Sequence, residues 1–383
     1  MAFSQLSVKL TKTLSKEIKK DEGIYFTPKT IITKMVDFVK KYNPESVLEP
    51  SCGSGEFLQQ LDFATSVKAI EKNQTIYDLV KETYPFVECD DFLEHRFETK
   101  FDLVIGNPPY FVVPKNQVDK HYHQYFTGRP NIYILFIIKS FGLLNQDGIL
   151  AFVLPTNFLN CIYYNELRVY LKEFNILDIY ITTEKFLETS QEICVFIIQR
   201  SPKKSQDFCC EFGHIVLFKP KLDVLKINVL KENTTTLSAL GCTMNIGKIV
   251  WNQCKADLTD DASKPVLIYS SDIKNNKLEI QEYREKSKKN YINKKGSTDK
   301  VLLVNRGYGT KYTLNYCLID PENDPQLANG YLVENHCIVI YSRDYPTIIN
   351  SFKNEKTKQF IDLVFSNNAI NIEEFLYVLP IFL

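Results

Sequence analysis

The apolar run Phe101-Asp102-Leu103-Val104-Ile105-Gly106 stops at Asn107-Pro108-Pro109-Tyr110, and these four residues are the ones best suited to chemistry. Proline lacks an N–H and holds the residue before it extended, so Asn107 and the neighbouring carbonyls are denied to a sheet ladder or helix and can face a ligand. An amide oxygen, a main-chain carbonyl and a flat ring together match a planar exocyclic amine. Two acceptors serve its two N–H groups, and the ring offers a stacking surface. The same tetrapeptide would also serve as a plain proline-rich turn after a strand, so its surroundings have to decide.

A second constellation lies upstream. Glu49-Pro50-Ser51-Cys52-Gly53-Ser54-Gly55-Glu56-Phe57 follows an apolar strand and is expected to open a helix. Glycines there permit a tight turn and close approach of a ligand to the backbone. Glu71 ends the next apolar run, where a carboxylate can accept both hydroxyls of a ribose. A dinucleotide site would look similar, but its third glycine would fall at Leu58 and nothing is placed to bind a pyrophosphate. Adenosine with a non-phosphate tail fits better. Asp90-Asp91-Phe92 ends a third run, and one of these acids could accept from an adenine amino group or simply cap a helix. Tyr25-Phe26-Thr27-Pro28 precedes the amphipathic segment Ile31-Val39, and a Thr N-cap with Pro in the first turn accounts for it structurally.

The elements that must hold these residues are legible as alternating short apolar runs and amphipathic segments, the pattern of an α/β sheet. Strands are predicted at Ser46-Leu48, Val67-Ile70, Phe86-Cys89, Phe101-Ile105, Ile149-Leu154, Ile176-Ile181 and Ile193-Gln199. Helices are predicted at Phe57-Leu61, Ile76-Thr83, Tyr133-Leu144 and Tyr164-Phe174. The last two strands are joined by a polar stretch without a crossover helix, so the final strand should run antiparallel to its neighbours. With 383 residues the chain is expected to hold two domains, 1–232 and 233–383, with the boundary in the Thr-rich stretch Asn233-Thr234-Thr235-Thr236. Beyond it the pattern turns to irregular strands and polar loops.

Lys and Arg number 46, as do Asp and Glu, so any nucleic-acid binding must come from a local basic surface. The ten cysteines are scattered without a Cys-x-x-Cys pair, so neither a metal site nor a disulfide framework is expected. No segment is apolar enough to span a bilayer. Reduced thiols and the absence of a span place the protein in the cytoplasm, away from membranes.

As an ordered set, these motifs resemble the gamma-type, TaqI-like N6-adenine DNA methyltransferases of type II restriction-modification systems. The family's Thr-Pro motif matches Thr27-Pro28, and its acid-Pro-x-Cys-Gly-x-Gly motif matches Glu49, Pro50, Cys52, Gly53 and Gly55. Its ribose acid matches Glu71, its Asp-Phe matches Asp91-Phe92, and its Asn-Pro-Pro-Tyr matches Asn107, Pro108, Pro109 and Tyr110. Phe136, in the segment after Asn131-Ile132-Tyr133, matches a ring that lies near the cofactor adenine in the family. The resemblance implies a seven-stranded Rossmann-like sheet, S-adenosylmethionine as methyl donor, and adenine N6 held by Asn107 and Pro108. It also implies a base flipped out of double-stranded DNA and stacked between Tyr110 and a second ring, for which Phe186 in Lys185-Phe186-Leu187-Glu188 is the candidate. A core position is the other reading of Phe186. Cytosine C5 methylation would demand a Pro-Cys nucleophile, and that dipeptide does not occur in the chain.

The second half resembles the target-recognition domains of these enzymes in Gly247-Lys248-Ile249-Val250-Trp251-Asn252, in Leu303-Val304-Asn305-Arg306-Gly307, in Glu334-Asn335-His336 and in Asn368-Ala369-Ile370. Phosphate contacts are expected from Lys248 and from the basic stretch 284–300, Lys288 and Lys289 above all. Asn305 and Arg306, beside Gly307 and Gly309, are expected to meet base edges. His336 is read as a structural hydrogen-bonder. The implied setting is a monomer on DNA, sharing its site with a cognate restriction endonuclease. The rivals are a same-fold enzyme acting on a protein glutamine amide or an rRNA base, and a catalytically silent specificity protein.

Overall fold

The computed structural model describes residues 3–182, 184, 186, 191–204, 206–307, 312–365 and 370–383. Two compact units divide the chain: Met1–Glu211 with Val216–Leu225, and Phe212–Ile215 with Lys226–Leu383.

The first unit is built on seven strands: β1 (Ser46–Glu49), β2 (Ser66–Glu71), β3 (Val87–Cys89), β4 (Phe101–Gly106), β5 (Leu144–Pro155), β6 (Phe174–Thr182) and β7 (Ile193–Pro202). They lie in the order β3-β2-β1-β4-β5-β7-β6. The first five are parallel, whereas β7 runs antiparallel to both β5 and β6, as the short connection before it requires. Alternate residues of each strand feed opposite faces. Leu48, Val104, Leu150 and Phe196 enter one apolar cluster, and Val47, Leu103, Ala151 and Val195 enter the other. A sheet buried on both faces reads as unbroken apolar runs, which is why β4 and β5 were visible in the sequence.

Among the described residues, the α-helices lying wholly within this unit are α1 (Gln5–Thr13), α2 (Lys16–Asp21), α3 (Lys29–Val39), α4 (Gln74–Val80), α5 (Ile132–Gly142) and α6 (Asn165–Leu171). α3 turns Ile31, Ile32, Met35, Val36 and Val39 inward. The Lys-rich, polar N-terminal stretch forms α1 and α2, which are not among the predicted helices, and their first turns are capped by the side chains of Ser4 and Ser15. The helix expected at Phe57-Leu61 is instead a run of turns with a single 3-10 turn at Leu58–Gln60. Gly53 and Gly55, both at positive φ, delay any regular structure after β1.

Strand order reverses between β1 and β4, which run side by side with Leu48 opposite Val104. That reversal opens a crevice beyond the carboxyl ends of the two strands, where doubly wound sheets bind their ligands.

The second unit holds a four-stranded antiparallel sheet of Thr243–Ile246, Cys337–Tyr341, Val301–Asn305 and Tyr316–Ile319. A second four-stranded sheet joins Leu258–Thr259, Tyr291–Ile292, Val266–Ile268 and Tyr331–Val333. Val266, Ile268, Val301, Leu303, Cys317 and Val339 share one core cluster. No helix among the described residues is long and apolar enough to cross a membrane.

Candidate active site

The Asn107 amide is held from both ends. Its Nδ2 donates to the Tyr25 carbonyl at 2.8 Å, and its Oδ1 accepts the Tyr110 hydroxyl. Anchoring the NH2 group fixes which way the amide points, so Oδ1 is the acceptor presented. The same Tyr110 hydroxyl lies 2.8 Å from the Val153 carbonyl. One hydroxyl carries one proton, so Tyr110 can bond Val153 and leave Asn107 Oδ1 open without the ring moving. Ser51 donates to the Asn107 carbonyl at 3.2 Å and ties the turn after β1 to the turn after β4.

Tyr110 is not where a base-stacking ring was expected. It is buried, stacked on Tyr25 at 6.1 Å between centroids and edge-on to Tyr133 at 6.0 Å. Phe186 does not close a slot with it. Phe186 is buried with Ile31, Met35 and Ile193 in the cluster on the α3 face, while Tyr110 belongs to the cluster on the other face. The core reading of Phe186 is the correct one, and its neighbours Lys185, Leu187 and Glu188 lie outside the described residues.

The turn after β1 is nearly free of side chains. Gly53 and Gly55 sit at φ +54 and +74, and a Cβ on Gly55 would come within 2.8 Å of the Tyr84 ring. Glu71 Oε2 accepts the Gly53 N–H at 2.8 Å, and Oε1 accepts the Asn73 N–H at 2.7 Å. Burial pushes the Glu71 carboxyl up to about 7, against those two hydrogen bonds, which favour its charged form. Glu49 is buried too, with Oε2 lacking a hydrogen-bond partner among the described residues. Desolvation first, then the charges of Glu71 and Glu56, hold its pKa well above the carboxylate range. Cys52 is equally buried, which raises its thiol pKa.

On the far side of β2, the rings of Phe92 and Phe136 meet at 4.8 Å. Asp91 behaves as a turn residue, since Oδ1 accepts the Leu93 N–H at 2.9 Å and Oδ2 pairs with Lys72 at 2.8 Å. Thr27 is not the N-cap of α3. That position is Pro28, without a side-chain cap bond, and Thr27 is buried. Pro50 and Pro109 stand in the two turns as the sequence placed them.

Two contacts had no signal in periodicity or motif. Tyr25 anchors an amide 82 positions away, and Gly23 accepts the Tyr110 N–H at 3.4 Å. Gly23 has φ +64, and a Cβ there would stand 2.3 Å from the Tyr110 nitrogen.

The second unit corrects several expectations. Asn305 has both ends of its amide committed to its own loop, Nδ2 to the Thr313 carbonyl at 2.9 Å and Oδ1 to the Asn315 N–H at 2.7 Å, so it is not a base reader here. Lys288 is not poised toward solvent either. Its ammonium lies 3.8 Å from the Tyr283 ring centre, 4.1 Å from that of Tyr269 and 5.9 Å from that of Trp251, a cation–π cage. Lys289 pairs with Asp260, Lys294 with Asp257 and Lys300 with Asp320. Lys248 is exposed and outside these pairs. Arg306 donates to the Asn335 carbonyl at 3.2 Å, while its buried Nε has no partner among the described residues. His336 bonds Glu334, as a structural residue would. Gly309, Asn368 and Ala369 lie outside the described residues.

Comparison with known proteins finds relatives both for the amino-terminal part and for the whole chain. The family description Eco57I restriction-modification methylase matches residues 7–187, which span every motif from Thr27-Pro28 to Phe136. The matched stretch is just under half of the chain. The modification methylase CviBIII of Paramecium bursaria Chlorella virus NC1A is 27% identical to this chain, and the match covers 99% of each. The type II methyltransferase M.CvrRI of Paramecium bursaria Chlorella virus XZ-6E is also 27% identical over 99% of each chain. A putative class I S-adenosylmethionine-dependent methyltransferase from Listeria monocytogenes aligns with 51% of this chain and 65% of its own, at 15% identity and a TM-score of 0.44.

A methylase domain implies S-adenosylmethionine as its cofactor, and the residues present fit that molecule. Glu49 and Glu71 are buried around one glycine turn, with no lysine or arginine side chain bonded to either among the described residues. Buried carboxylates in that arrangement call for a cation. S-adenosylmethionine carries a sulfonium and an ammonium, and its ribose offers two donors.

Two predictions follow from this geometry. Gly23→Ala should destabilise the chain by at least about 1–2 kcal/mol, the cost of a left-handed non-glycine residue alone. Chemical denaturation reads it, and an unchanged midpoint would mean that Gly23 does not abut Tyr110 in solution. The raised Glu71 pKa has a defined sign. Between the ordinary carboxylate range and about 7, the folded chain holds a proton that the unfolded chain has released, so ligand-free stability falls as pH rises through that window. Hydroxyl donors and a cation favour the ionised form, so affinity for S-adenosylmethionine should rise by up to about tenfold from about pH 6 to about pH 8. Glu71→Gln should flatten that rise, and a flat calorimetric profile for the wild type would remove Glu71 from the ribose.

Proposed function

We propose that this chain transfers the methyl group of S-adenosylmethionine to N6 of an adenine swung out of double-stranded DNA, as the modification enzyme of a restriction-modification system. The observation that carries the reading is the orientation of Asn107, whose anchored NH2 group leaves an oxygen at the carboxyl end of β4. Full-length similarity to proteins named modification methylase and type II methyltransferase supports the setting.

When bound, S-adenosylmethionine supplies an electrophilic methyl group on sulfur. Glu71 would take the ribose hydroxyls, Gly53 and Gly55 would let the backbone approach, and Glu49 would meet the ammonium. Phe92 and Phe136 would border the adenine ring, and Thr27 and Pro109 would line the remaining wall. An adenine N6 is a poor nucleophile because its lone pair is delocalised into the ring. Asn107 Oδ1 and the Pro108 carbonyl accept its two N–H bonds, draw the nitrogen toward tetrahedral geometry and aim its lone pair at the donor. This is orientation and electrostatic stabilisation, with no covalent intermediate on the protein: the carbon–sulfur bond breaks as the carbon–nitrogen bond forms, and the methylated nitrogen, now cationic and acidic, loses one proton to water. The Tyr110 hydroxyl turns its proton to Val153 as the base arrives. Extrusion of the base makes N6 reachable, because within the duplex it is paired and stacked. Half-buried Tyr25, backed by Tyr110, is the ring left to meet the extruded base.

Target reading falls to the second unit, Phe212–Ile215 with Lys226–Leu383, whose main segment begins seven residues before the boundary expected at 233. Exposed Lys248 suits a phosphate, and the guanidinium of Arg306 is the side-chain type that suits a guanine edge.

The test is to incubate the chain with duplex DNA and S-adenosylmethionine, digest the product to nucleosides and weigh them. N6-methyl-2′-deoxyadenosine is expected. N4-methyl-2′-deoxycytidine would keep the acceptor chemistry and overturn the choice of base, and unmodified DNA would overturn the reading. Asn107→Ala should lower the transfer rate by at least about a hundredfold, the cost of losing one preorganised polar contact. Near-normal turnover by that variant would remove Asn107 from the mechanism.

A further inference from the structure

Helix α1 lies outside every motif, yet its first turn is bonded to the cofactor turn. The Ser4 N–H donates to Glu56 Oε1 at 2.9 Å, and the Ser7 hydroxyl donates to the same oxygen. Ser7 Oγ also lies 2.7 Å from Ser54 Oγ. All three turn contacts are internal: Ser7 is 0% exposed, Ser54 3% and Glu56 6%. A carboxylate at a helix N-terminus meets free N–H groups and the positive end of the helix dipole. Further along α1, Leu10 and Leu14 pack in one cluster with Phe26 and Ile76. Phe26 stands 3.7 Å from where a Cβ of Gly53 would be, and Ile76 is the residue whose N–H is capped by Asn73. α1 therefore braces the turn twice, through Glu56 by hydrogen bonds and through Phe26 by packing.

We propose that α1 is a strap whose docking through Ser7 and Glu56 sets the conformation of the Gly53–Gly55 turn, and so sets affinity for S-adenosylmethionine. The inference rests on the reading of that turn as the cofactor site. Glycine is the most permissive residue type, and a turn built on Gly53 and Gly55 needs outside support to hold one shape. Glu71 supplies it from β2, at the Gly53 N–H, and the Ser7–Glu56 pair supplies it from the opposite side. Ser7 and Glu56 are positioning residues, since neither is assigned to touch the reacting atoms. Coupling of this kind is reciprocal: if docked α1 favours the cofactor, the cofactor must favour docked α1.

The experiment uses the full chain without DNA, with S-adenosylmethionine as the probe. Hydrogen exchange at the α1 amides should slow when the cofactor is added to the wild type. Calorimetric titration should show Ser7→Ala and Glu56→Ala each weakening binding by about tenfold, the worth of a hydrogen bond to a charged group. The double variant should be no weaker than the worse single one, because both remove the same contact. Glu56→Gln, which keeps the acceptor, should stay close to wild type. Exchange in α1 that is indifferent to S-adenosylmethionine would overturn the strap, as would additive losses in the double variant. Should Ser7→Ala fail to fold, the wild-type exchange result still decides. A wild type that does not bind S-adenosylmethionine at all would instead sink the cofactor reading.

Discussion

β1 and β4 are adjacent, parallel and end together, and the reacting end of the first unit depends on that coincidence. Each strand releases its chain into a turn that cannot pair with the sheet, one because Gly53 and Gly55 take left-handed backbone, the other because Pro108 and Pro109 lack N–H groups. The bond from Ser51 to the Asn107 carbonyl joins the two turns across the gap. A methyl donor held by one turn and a nucleophile held by the other are thereby set by a single strand register. Small shifts of either strand would misalign both, and near-attack geometry tolerates little misplacement.

A second constraint is electrostatic. Desolvation penalises Glu49 and Glu71, and the charges of Glu71 and Glu56 add to the penalty at Glu49. The structure tolerates this because main-chain N–H groups already serve Glu71 and the first turn of α1 serves Glu56. Glu49 is the member left unserved, which makes it the one whose environment most favours a cationic ligand.

Much of this was legible before any coordinates. β4, β5 and β7 announce themselves because strands buried on both faces must be apolar throughout, and the antiparallel β7 follows from a connection too short for a crossover helix. The motif turns were visible because glycine and proline act locally. What the sequence hid depends on partners far away in the chain. The Tyr25 carbonyl that orients Asn107, and the absence of a side chain at Gly23, emerge only once the chain has folded back on itself. α1 was missed because its mean character is polar and its anchoring rests on two serines. Phe186 and Asn305 were misread for one reason: residue type states what a side chain can do, and the fold had already spent one on core packing and the other on a loop. Tyr110 was half read, since its place beside Asn107 was clear but the inward turn of its ring was not.

The basic stretch of the second unit has a consequence for how the chain would meet a polyanion. Lys289, Lys294 and Lys300 are each matched to an aspartate, and Lys288 is shielded by rings. With overall charge also balanced, the three paired lysines project little field beyond the Debye length of about 8 Å in physiological salt. Encounter would then gain little from long-range steering, and phosphates would have to displace an aspartate before a paired lysine could contribute. A protein so arranged lingers weakly on arbitrary duplex, and leaves discrimination to the few contacts that form only at close range.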